Sequence, residues 1–453
     1  MAPKFGTSGL RGLVTELTPD LVAAHIRAFL AACPQGGALW VGRDLRASSP
    51  DLAAVVLAAA RGMGLETVDC GAVPTPALAL AAMRAGAASV MVTGSHIPAD
   101  RNGLKFYTPA GEITKVDEAA ILASLATAPR GAGPATRRVT TAGADWVARY
   151  VTAFGPEALA GLRLGIWAHS AVSCDLLVDA MVALGAECVS VGRSETFIPV
   201  DTEAVSPQAR ADLAAWAPGF DAILSTDGDG DRPLLADGAG AVIPGDILGQ
   251  IAAASLGADT VVTPVSSNTG AELGGAFARV IRTKIGSPFV IAAMEGAGGR
   301  VAGYEANGGF LLGFAAEGPA GLLPPLMTRD SLLPLIAVLA EVRKAGGLPA
   351  LLACQPARFT AADRLEKTPP EATGPLLARL TADPAPLLAD LAETETSRDL
   401  TDGLRLSLAS GRILHLRPSG NAPEFRVYAE AESPEAAETL LARARDRLRG
   451  MLG

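Results

Sequence analysis

Residues 75–96 read TPALALAAMRAGAASVMVTGSH, and this stretch decides the fold class. An Ala/Leu-rich helical run closes at Gly86, and an apolar, β-branched run then predicts a strand that enters a polar loop at Thr93. A helix followed at once by a continuous apolar strand is typical of α/β proteins, in which helices cover buried parallel strands. The neighbouring stretches repeat the pattern: ALWVGRD (38–44) predicts a strand, and SSPDLAAVVLAAARGMG (48–64) predicts a capped helix that glycine closes.

The same alternation restarts twice further along the chain, over residues 162–231 and again over 258–286. From residue 404 the pattern changes and predicts two strands joined by a short turn, a further strand and a helix. The Thr/Pro-containing stretch EKTPPEATGP (366–375) predicts a loop. We therefore expect three similar α/β domains and a smaller C-terminal α+β domain, over the ranges 1–152, 153–255, 256–357 and 358–453.

Composition indicates a soluble globular protein. The 453 residues are 49% hydrophobic and 19% charged, which is too apolar for a disordered chain and too long for one core. The net charge of −9 and the lack of a Lys/Arg-rich run argue against a nucleic-acid partner. Five cysteines without a CxxC pair indicate reduced thiols. The N-terminus has no apolar signal core and the longest apolar runs are too short to cross a bilayer, so we expect a cytoplasmic protein without a membrane partner.

Three carboxylates, Asp227, Asp229 and Asp231, stand at alternate positions of the stretch DGDGDRP, directly after the apolar run DAILST. The glycines between them permit unusual backbone angles, so the three side chains can converge on one point. Three hard oxygen ligands suit Mg²⁺ and leave further positions for water or phosphate. An EF-hand calcium loop is excluded because Arg232 and Gly238 stand where that loop needs Gly and Glu. The remaining alternative is a solvated acidic turn.

Three further loops carry polar side chains that suit a substrate. RPSGNAPEFR (417–426) places two arginines, a hydroxyl and flexible backbone N–H groups around one turn, which predicts either an anion cradle or a surface turn. The N-terminal stretch KFGTSGLRG puts Arg11 in a glycine-punctuated segment, a pattern shared by anion loops and flexible chain ends. GYEANGGF (303–310) carries Glu305 and Asn307, whose carboxylate and amide suit sugar hydroxyls, and a plain turn fits this stretch equally well.

Ser95, in the loop TGSHIPADRNG (93–103), is a candidate nucleophile. A Ser-His-Asp hydrolase fits poorly, because the GxSxG motif is absent and because an adjacent histidine, here His96, rarely reaches the preceding serine oxygen in good geometry. Lys105, in NGLKFY, is better placed to supply charge. A serine, an acidic metal loop, an arginine cradle and a hydroxyl-binding carboxylate together suit phosphoryl transfer on a sugar.

Five of these stretches, in order and spacing, resemble the motifs of the α-D-phosphohexomutase superfamily over nearly the whole chain. They are the N-terminal KFGTSGLRG, the phosphoserine loop TGSHIPADRNGLKFY, the metal loop DGDGDR, the sugar loop GYEANGGF and the phosphate loop RPSGNAPEFRVY. The resemblance implies four domains around a central cleft, each supplying one loop. Three are α/β domains with a mixed sheet, and the fourth is similar to the TATA-binding protein.

The resemblance also implies a mechanism. Ser95 carries a phosphoryl group, gives it to the free hydroxyl of a hexose phosphate, and recovers the other phosphate from the resulting hexose 1,6-bisphosphate, which also serves as the activator. One Mg²⁺ per chain is held by the phosphoserine and the metal loop. The implied catalytic residues are Ser95, Lys105, Arg11 and Arg232, the metal ligands are Ser95, Asp227, Asp229 and Asp231, and the substrate-binding residues are Glu305, Asn307, Arg417, Ser419, Gly420, Asn421, Arg426 and Lys284.

Several positions depart from the family motifs. Ile97 replaces the usual Asn, which removes a hydrogen bond that orders the serine loop in the family. The other departures are Asn307, Gly309, Asn421, Ala422 and Ser287, and histidine acid/base roles that some members place at Gly309 and Ser287 do not carry over.

The expected substrate is a mannose phosphate, with glucose second, and the protein is expected to be a monomer or homodimer. The alternatives are a phosphoglucomutase or a phosphoglucosamine mutase, although the TSGLRG start differs from the GTDG usual in the latter, a Mg²⁺-dependent phosphatase, and a non-catalytic sugar-phosphate-binding paralogue.

Overall fold

The computed structural model describes residues 3–6, 9–419 and 424–452. The chain begins with a large sheet covered by helices on both faces. Its strands are β1 (Lys4–Phe5), β2 (Leu10–Leu13), β3 (Ala38–Arg43), β4 (Glu66–Ala72), β5 (Ala88–Val92), β6 (Arg101–Thr108), β7 (Gly111–Glu112) and β8 (Arg137–Arg138). Its helices are α1 (Pro19–Ala32), α2 (Ser49–Arg61), α3 (Thr75–Arg84), α4 (Lys115–Ala123) and α5 (Ala142–Phe154).

Two further α/β units follow. The second comprises β9 (Arg163–Trp167), α6 (Cys174–Ala183), β10 (Glu187–Val191), α7 (Pro207–Trp216), β11 (Ala222–Thr226) and β12 (Pro233–Asp237). Helix α8 (Gly245–Ser255) then leads to the third unit, which comprises β13 (Thr260–Pro264), α9 (Gly270–Leu273), β14 (Arg279–Thr283), α10 (Ser287–Ala297), β15 (Val301–Tyr304), β16 (Phe310–Leu312), β17 (Ala316–Glu317), β18 (Leu322–Leu323), β19 (Leu326–Asp330), α11 (Leu332–Ala345) and α12 (Leu348–Ala353).

The three sheets share one strand order. The central part of the first sheet runs β4-β3-β5-β6, the second runs β10-β9-β11-β12, and the third runs β14-β13-β15-β16 with β19 added. In each, the first three strands are parallel and the fourth returns antiparallel through a hairpin. The hairpin loops, 93–100, 227–232 and 305–309, therefore leave the carboxyl ends of the parallel strands, where α/β folds place ligands. The mixed-sheet α/β class predicted from sequence is confirmed.

Apolar side chains on both faces of the first sheet hold it between two helical layers. Val90 and Val92 of β5 pack in one core with residues of α1 and α2, whereas Met91 packs in another with residues of α3 and α5. This alternation follows from the period of two along a strand. Because both faces are buried, β5 is apolar throughout, which is the pattern seen at residues 88–92.

The C-terminal part forms an antiparallel sheet in the order β20-β24-β23-β22-β21, covered by helices. Its elements are β20 (Phe359–Glu366), α13 (Pro370–Ala382), α14 (Ala385–Leu391), β21 (Glu395–Asp399), β22 (Leu404–Leu408), β23 (Ile413–Pro418), β24 (Glu424–Ala431) and α15 (Pro434–Leu452). The predicted β22, β23, β24 and α15 are confirmed. The loop predicted for residues 366–375 is wrong in its second half, where α13 begins, because proline is tolerated in the first turn of a helix.

Candidate active site

Ser95 lies in the hairpin between β5 and β6, against the hairpin between β11 and β12. Its side chain is fully buried, and its Oγ–H donates to Asp227 Oδ2 at 2.6 Å. Its backbone has a φ of +55°, in the left-handed region that residues with side chains rarely adopt. Strained backbone that persists in a folded protein is concentrated at functional sites. The structure thus brings the predicted serine and the predicted acidic loop together.

The three aspartates form a buried cluster. Asp227, Asp229 and Asp231 have one oxygen each within 4.8 Å of the others. Burial and the two neighbouring carboxylates raise the pKa of Asp227 well above its ordinary value. Burial acts on Asp231 in the same direction, but Arg329 and Lys105 outweigh it and hold the pKa of Asp231 well below its ordinary value. Among the described residues, one oxygen of Asp229 and one of Asp231 are buried without a hydrogen-bond partner, which fits a hard divalent cation such as Mg²⁺.

Cationic side chains surround this acidic loop. Lys105 Nζ donates to Asp229 Oδ2 at 2.6 Å and to Asp231 Oδ2 at 2.5 Å. Arg232 places its Nε 3.9 Å from Asp231 Oδ1. Burial first, and then the neighbouring arginines, lower the pKa of Arg11 to about 10. The predicted cations therefore lie where they can offset the negative charge of a phosphoryl group.

His96 differs from its sequence-based expectation, since its Nδ1 does reach the preceding serine, 3.3 Å from Ser95 Oγ. A guanidinium N–H of Arg232 donates to the same Nδ1 at 2.9 Å. Burial, followed by Arg232 and other cations, lowers the pKa of His96 well below its ordinary value. With its lone pair taken by Arg232 and the serine proton directed at Asp227, His96 does not complete a hydrolase triad. Its Nδ1 instead contacts both Ser95 Oγ and the Arg232 guanidinium.

The sugar loop joins this cluster through a residue of β19. Glu305 is 3% exposed, burial raises its pKa, and its Oε1 lies 3.5 Å from a terminal nitrogen of Arg329. Asn307 closes its own turn, accepting from the backbone N–H of Gly309 at 3.0 Å, while Thr202 donates to its carbonyl at 2.8 Å. A Cβ at Gly309 would lie 2.8 Å from Arg329 Cδ, so the arginine fills the space beside this departure from the family motif.

The predicted phosphate loop, residues 417–426, connects β23 to β24 of the C-terminal sheet and is called the arginine loop. Arg417 and Arg426 face each other across β23 and β24, and their ion pairs are with Asp402 at 3.4 Å and Glu424 at 3.8 Å. The Ser419 backbone N–H donates to the Glu424 carbonyl at 2.8 Å, which closes this end of the hairpin. Four residues of the loop fall outside the described ranges, namely Gly420, Asn421, Ala422 and Pro423.

Lys284 follows β14 and lies beside the arginine loop. The next residue, Ile285, donates its backbone N–H to Asp402 Oδ2 at 3.1 Å, and Asp402 also pairs with Arg417. Ser287, which stands where some family members have histidine, donates its hydroxyl to Glu112 Oε2 at 2.7 Å. The backbone next to Lys284 is thus linked to Arg417 through Asp402, while Lys284 Nζ lies 6.0 Å from the centroid of the Phe289 ring.

Sequence reasoning missed three residues that support the site. The Thr75 backbone N–H donates to the Asp229 carbonyl at 2.9 Å, and its hydroxyl donates to the same aspartate's carboxylate. Arg329 places its Nη2 2.9 Å from Asp231 Oδ2. Arg46 donates to backbone carbonyls of the serine loop. Arg329 could have been found from the sequence, because a charged side chain in the largely apolar stretch LMTRDSLLPL indicates a buried charge that needs a partner.

Comparison with known proteins assigns the family. Three models of the phosphoglucomutase/phosphomannomutase family match: α/β/α domain I over residues 2–130, α/β/α domain III over 244–359, and the C-terminal domain over 376–447. A phosphomannomutase of Sinorhizobium fredii is 46% identical over 98% of both chains. One of Salmonella muenchen is 42% identical over 98% of this chain and 96% of its own. A phosphoglucosamine mutase of Thermobifida fusca is 31% identical over 100% of this chain and 99% of its own.

Solved structures agree on the fold. A phosphoglucomutase/phosphomannomutase family protein of Burkholderia thailandensis superposes with a TM-score of 0.78 at 23% identity, over 98% of this chain and 96% of that one. A serine-to-alanine variant of the N-acetylphosphoglucosamine mutase of Aspergillus fumigatus, solved with glucose 1,6-bisphosphate, gives 0.65 at 16% identity, over 100% and 96%. In the described part of the chain, no helix has the length and apolarity that a membrane crossing requires. The chain belongs to the α-D-phosphohexomutase superfamily, as a phosphohexomutase of the phosphoglucomutase/phosphomannomutase family.

Proposed function

We propose that the protein interconverts hexose 6-phosphate and hexose 1-phosphate through a phosphoserine at Ser95, with mannose as the preferred sugar. The observation that carries the proposal is the buried Ser95 Oγ, 2.6 Å from Asp227 Oδ2 at the edge of a three-carboxylate cluster. In the first transfer, the bond between Ser95 Oγ and phosphorus breaks and a bond to the substrate hydroxyl oxygen forms, giving a hexose 1,6-bisphosphate. In the second, the bond between the other phosphorus and its sugar oxygen breaks, a bond from that phosphorus to Ser95 Oγ forms, and the proton of the Ser95 hydroxyl passes to the freed sugar oxygen.

The acidic loop and its cations serve the transfer. Asp227, Asp229 and Asp231, with the phosphoserine, would hold one Mg²⁺ per chain. A bound Mg²⁺ draws charge from the phosphoryl group and so favours attack by an oxygen nucleophile. Lys105 and Arg11 offset the charge that develops on the equatorial oxygens and assist the transfer of the hydroxyl proton, and Arg232 steadies the phosphoserine and the phosphoryl group in transfer. Hexose 1,6-bisphosphate is the proposed activator, because it would phosphorylate Ser95 directly; the Aspergillus relative was solved with the glucose form.

The remaining loops hold the sugar while the two phosphates exchange places. The sugar loop contributes the carboxylate of Glu305 and the amide of Asn307. The arginine loop binds the phosphate that is not reacting. Two guanidiniums on adjacent strands suit bidentate binding of that phosphate. The proposed substrate-binding residues are Glu305, Asn307, Arg417, Ser419, Gly420, Asn421, Arg426 and Lys284, and the proposed domains are 1–152, 153–255, 256–357 and 358–453.

The test of the reaction is Ser95→Ala. Wild-type protein incubated with mannose or glucose 1,6-bisphosphate should gain one phosphoryl group by intact-mass analysis and should turn over mannose 1-phosphate. Ser95→Ala should do neither, while Ser89→Ala, a buried serine of β5 upstream of the loop, should do both. Turnover by Ser95→Ala would remove the phosphoserine from the mechanism.

The sugar is tested by comparing kcat/KM for mannose 1-phosphate, glucose 1-phosphate and glucosamine 1-phosphate. The two phosphomannomutases at 46% and 42% identity support mannose, and the 31% identical glucosamine enzyme makes glucosamine the alternative. A highest value for glucosamine 1-phosphate would overturn the proposed preference. Inorganic phosphate released faster than isomer would favour a phosphatase, and absence of phosphoryl exchange would favour a binding paralogue. The cytoplasmic location, the monomer or homodimer state and the lack of nucleic-acid and membrane partners stay predictions.

A further inference from the structure

Arg46 uses every N–H group of its guanidinium inside the protein. It follows β3 in the stretch GRDLRASS, and its side chain is 1% exposed. An arginine has five such donors in a rigid planar fork. Four of them serve backbone carbonyls of the serine loop. The acceptors are Asp44 Oδ2 (3.1 Å) and the carbonyl oxygens of Ser95 (2.8 Å), Ile97 (2.6 Å), Pro98 (2.7 Å) and Arg101 (2.9 Å).

The same network fixes the backbone of the nucleophile on both sides. The Ser95 carbonyl is held by Arg46, and its backbone N–H donates to Thr93 Oγ1 at 2.7 Å. The Thr93 hydroxyl in turn donates to Asp44 Oδ2 at 2.7 Å, the oxygen that Arg46 Nε also contacts. A residue with a φ of +55° keeps that angle only where its surroundings over-determine it, and these contacts supply the constraint. They also order a loop that carries Ile97 where the family motif has Asn.

The guanidinium is clamped between two surfaces. A Cβ at Gly94 would lie 2.6 Å from Arg46 Cζ, so only glycine lets the backbone approach the guanidinium this closely. On another side, the Phe197 ring lies with its centroid 4.1 Å from Cζ, in cation–π contact. Phe197 comes from the loop after β10, and a Cβ at Gly228 in the metal loop would lie 2.9 Å from its ring. Arg46 therefore ties the serine loop to the second unit as well as to its own.

We propose that Arg46 is the positioning residue of the nucleophile: it holds Ser95 in its left-handed conformation and so aims Oγ at the metal loop, without contacting the reacting atoms. The inference rests on the proposed function, because it assigns Arg46 to the phosphoserine step. Lysine cannot reproduce this role, since it offers three donors from a single nitrogen and no planar face.

The test compares Arg46→Lys with Arg61→Lys. Arg61 is the matched control, because its Nε also donates to a backbone carbonyl, that of Pro134 at 3.0 Å, at the exposed C-terminal end of α2. A displacement of the loop by ~1 Å reduces a rate by about 100-fold, so Arg46→Lys should lose about that factor in kcat and in the rate of Ser95 phosphorylation by glucose 1,6-bisphosphate. KM for the hexose phosphate should stay within about twofold, because the substrate contacts are untouched. Hydrogen exchange should quicken at residues 93–101 and not elsewhere.

A second variant tests the same hydrogen-bond network in case Arg46→Lys does not fold. Thr93→Val preserves volume but removes the hydroxyl that binds the Ser95 backbone N–H, and it should reproduce the slow phosphorylation and the local hydrogen exchange. The inference would be overturned if folded Arg46→Lys or Thr93→Val were phosphorylated as fast as Arg61→Lys. It would also be overturned if a rise in KM accounted for the whole loss of activity. Failure of both variants to fold would assign the network to stability alone and overturn it too. If wild type and Arg61→Lys are themselves not phosphorylated, the proposed function fails, and exchange at residues 93–101 still decides whether Arg46 holds the loop.

Discussion

At the scale of single residues, Arg329 lies between two buried carboxylates that belong to different loops. It is 2% exposed, with one terminal nitrogen 2.9 Å from Asp231 Oδ2 and the other 3.5 Å from Glu305 Oε1. Removing one partner of a buried ion pair costs about 3–5 kcal/mol, because the remaining charge has lost its compensation away from water. We expect Arg329→Met to lower the free energy of unfolding by about this amount in chemical denaturation.

Arg412→Met is the control for this prediction. Arg412 Nη2 lies 2.5 Å from Glu432 Oε1, but the two side chains are 30% and 56% exposed. Exposed pairs contribute about 0–1 kcal/mol, so the control should change stability little. Similar losses in the two variants would contradict the assignment of Arg329 as the link between the metal loop and the sugar loop.

His169 makes the free energy of unfolding depend on pH. Burial lowers its pKa from 6.5 to about 4, although its hydrogen bond to the Thr226 carbonyl at 2.8 Å acts in the opposite direction. Between these two pKa values the unfolded chain binds a proton that the folded protein does not. Its contribution to stability is therefore complete above pH 6.5 and decreases as the pH falls towards 4, by about 1.4 kcal/mol per pH unit.

His169→Gln isolates this contribution, since an amide can keep the bond to Thr226 and does not titrate. The unfolding free energy of wild type minus that of the variant should fall as the pH is lowered from 6.5 to 4. Urea denaturation at several pH values measures it. A difference that stays constant over that window would show that the histidine is not neutral in the folded protein.

Residues whose chemistry is concentrated in one short motif could be predicted from the sequence, whereas the partners of residues that support the site from other parts of the chain, such as Arg46 and Arg329, could not. The alternate aspartates of DGDGDR form a recognisable metal-ligand pattern, and in the structure their carboxylates lie close together as expected. Arg46 contacts mainly carbonyl oxygens, which every residue type has, so no pattern identifies its partners. His96 was misjudged because the left-handed backbone of Ser95, which brings the two side chains together, is not encoded in residue type.

At the scale of elements, the hairpin between β11 and β12 depends on Gly230. Its φ is +74°, and a Cβ there would lie 3.0 Å from Ser173 Cβ and 3.1 Å from Pro74 Cβ. The left-handed conformation alone costs about 1–2 kcal/mol for a residue with a side chain. We expect Gly230→Ala to lose at least that much stability and also to lose Ser95 phosphorylation, because the crowded loop must move away from the serine.

Gly64→Ala separates the two effects. Gly64 has a φ of +81°, and a Cβ there would meet nothing within 4 Å, so this variant carries the backbone cost without the crowding. It should lose about 1–2 kcal/mol and keep phosphorylation by intact-mass analysis. Normal phosphorylation in Gly230→Ala would mean that the metal loop tolerates displacement.

Elements with a complete apolar pattern were predictable, and those without one were not. Strand β5, buried on both faces, is apolar throughout and was placed correctly. Strands β20 and β21 were missed because they lie at the two edges of the fourth sheet and are largely exposed, so their sequences, FTAADRLE and ETSRD, carry few apolar residues. The start of α13 was hidden by prolines that normally indicate loops.

At the scale of the whole molecule, the metal loop is the junction of three sheets. Its backbone carbonyls accept hydrogen bonds from each side: Gly228 from the Val172 N–H at 3.1 Å, Asp229 from the Thr75 N–H at 2.9 Å, and Gly230 from the Ser331 hydroxyl at 2.7 Å. Thr75 is the first residue of α3 and Ser331 precedes α11, so the first and third units contact the loop through the N-terminal ends of these helices. Binding at the acidic loop should therefore stabilise the arrangement of all three units and not the second one alone.

Metal binding then appears as a change in global stability. A ligand that binds only the folded state at 100 times its Kd adds about 2.7 kcal/mol, so Mg²⁺ added to EDTA-treated protein should raise Tm, and EDTA should reverse the rise. Asp229→Asn should largely abolish the effect, because it removes one charged ligand. Asp221→Asn should retain it, since Asp221 lies at the opposite end of β11 and accepts the Arg163 N–H at 2.7 Å. An equal rise in Tm for both variants would place the ion elsewhere, and hydrogen exchange that slows only in the second unit would contradict the junction.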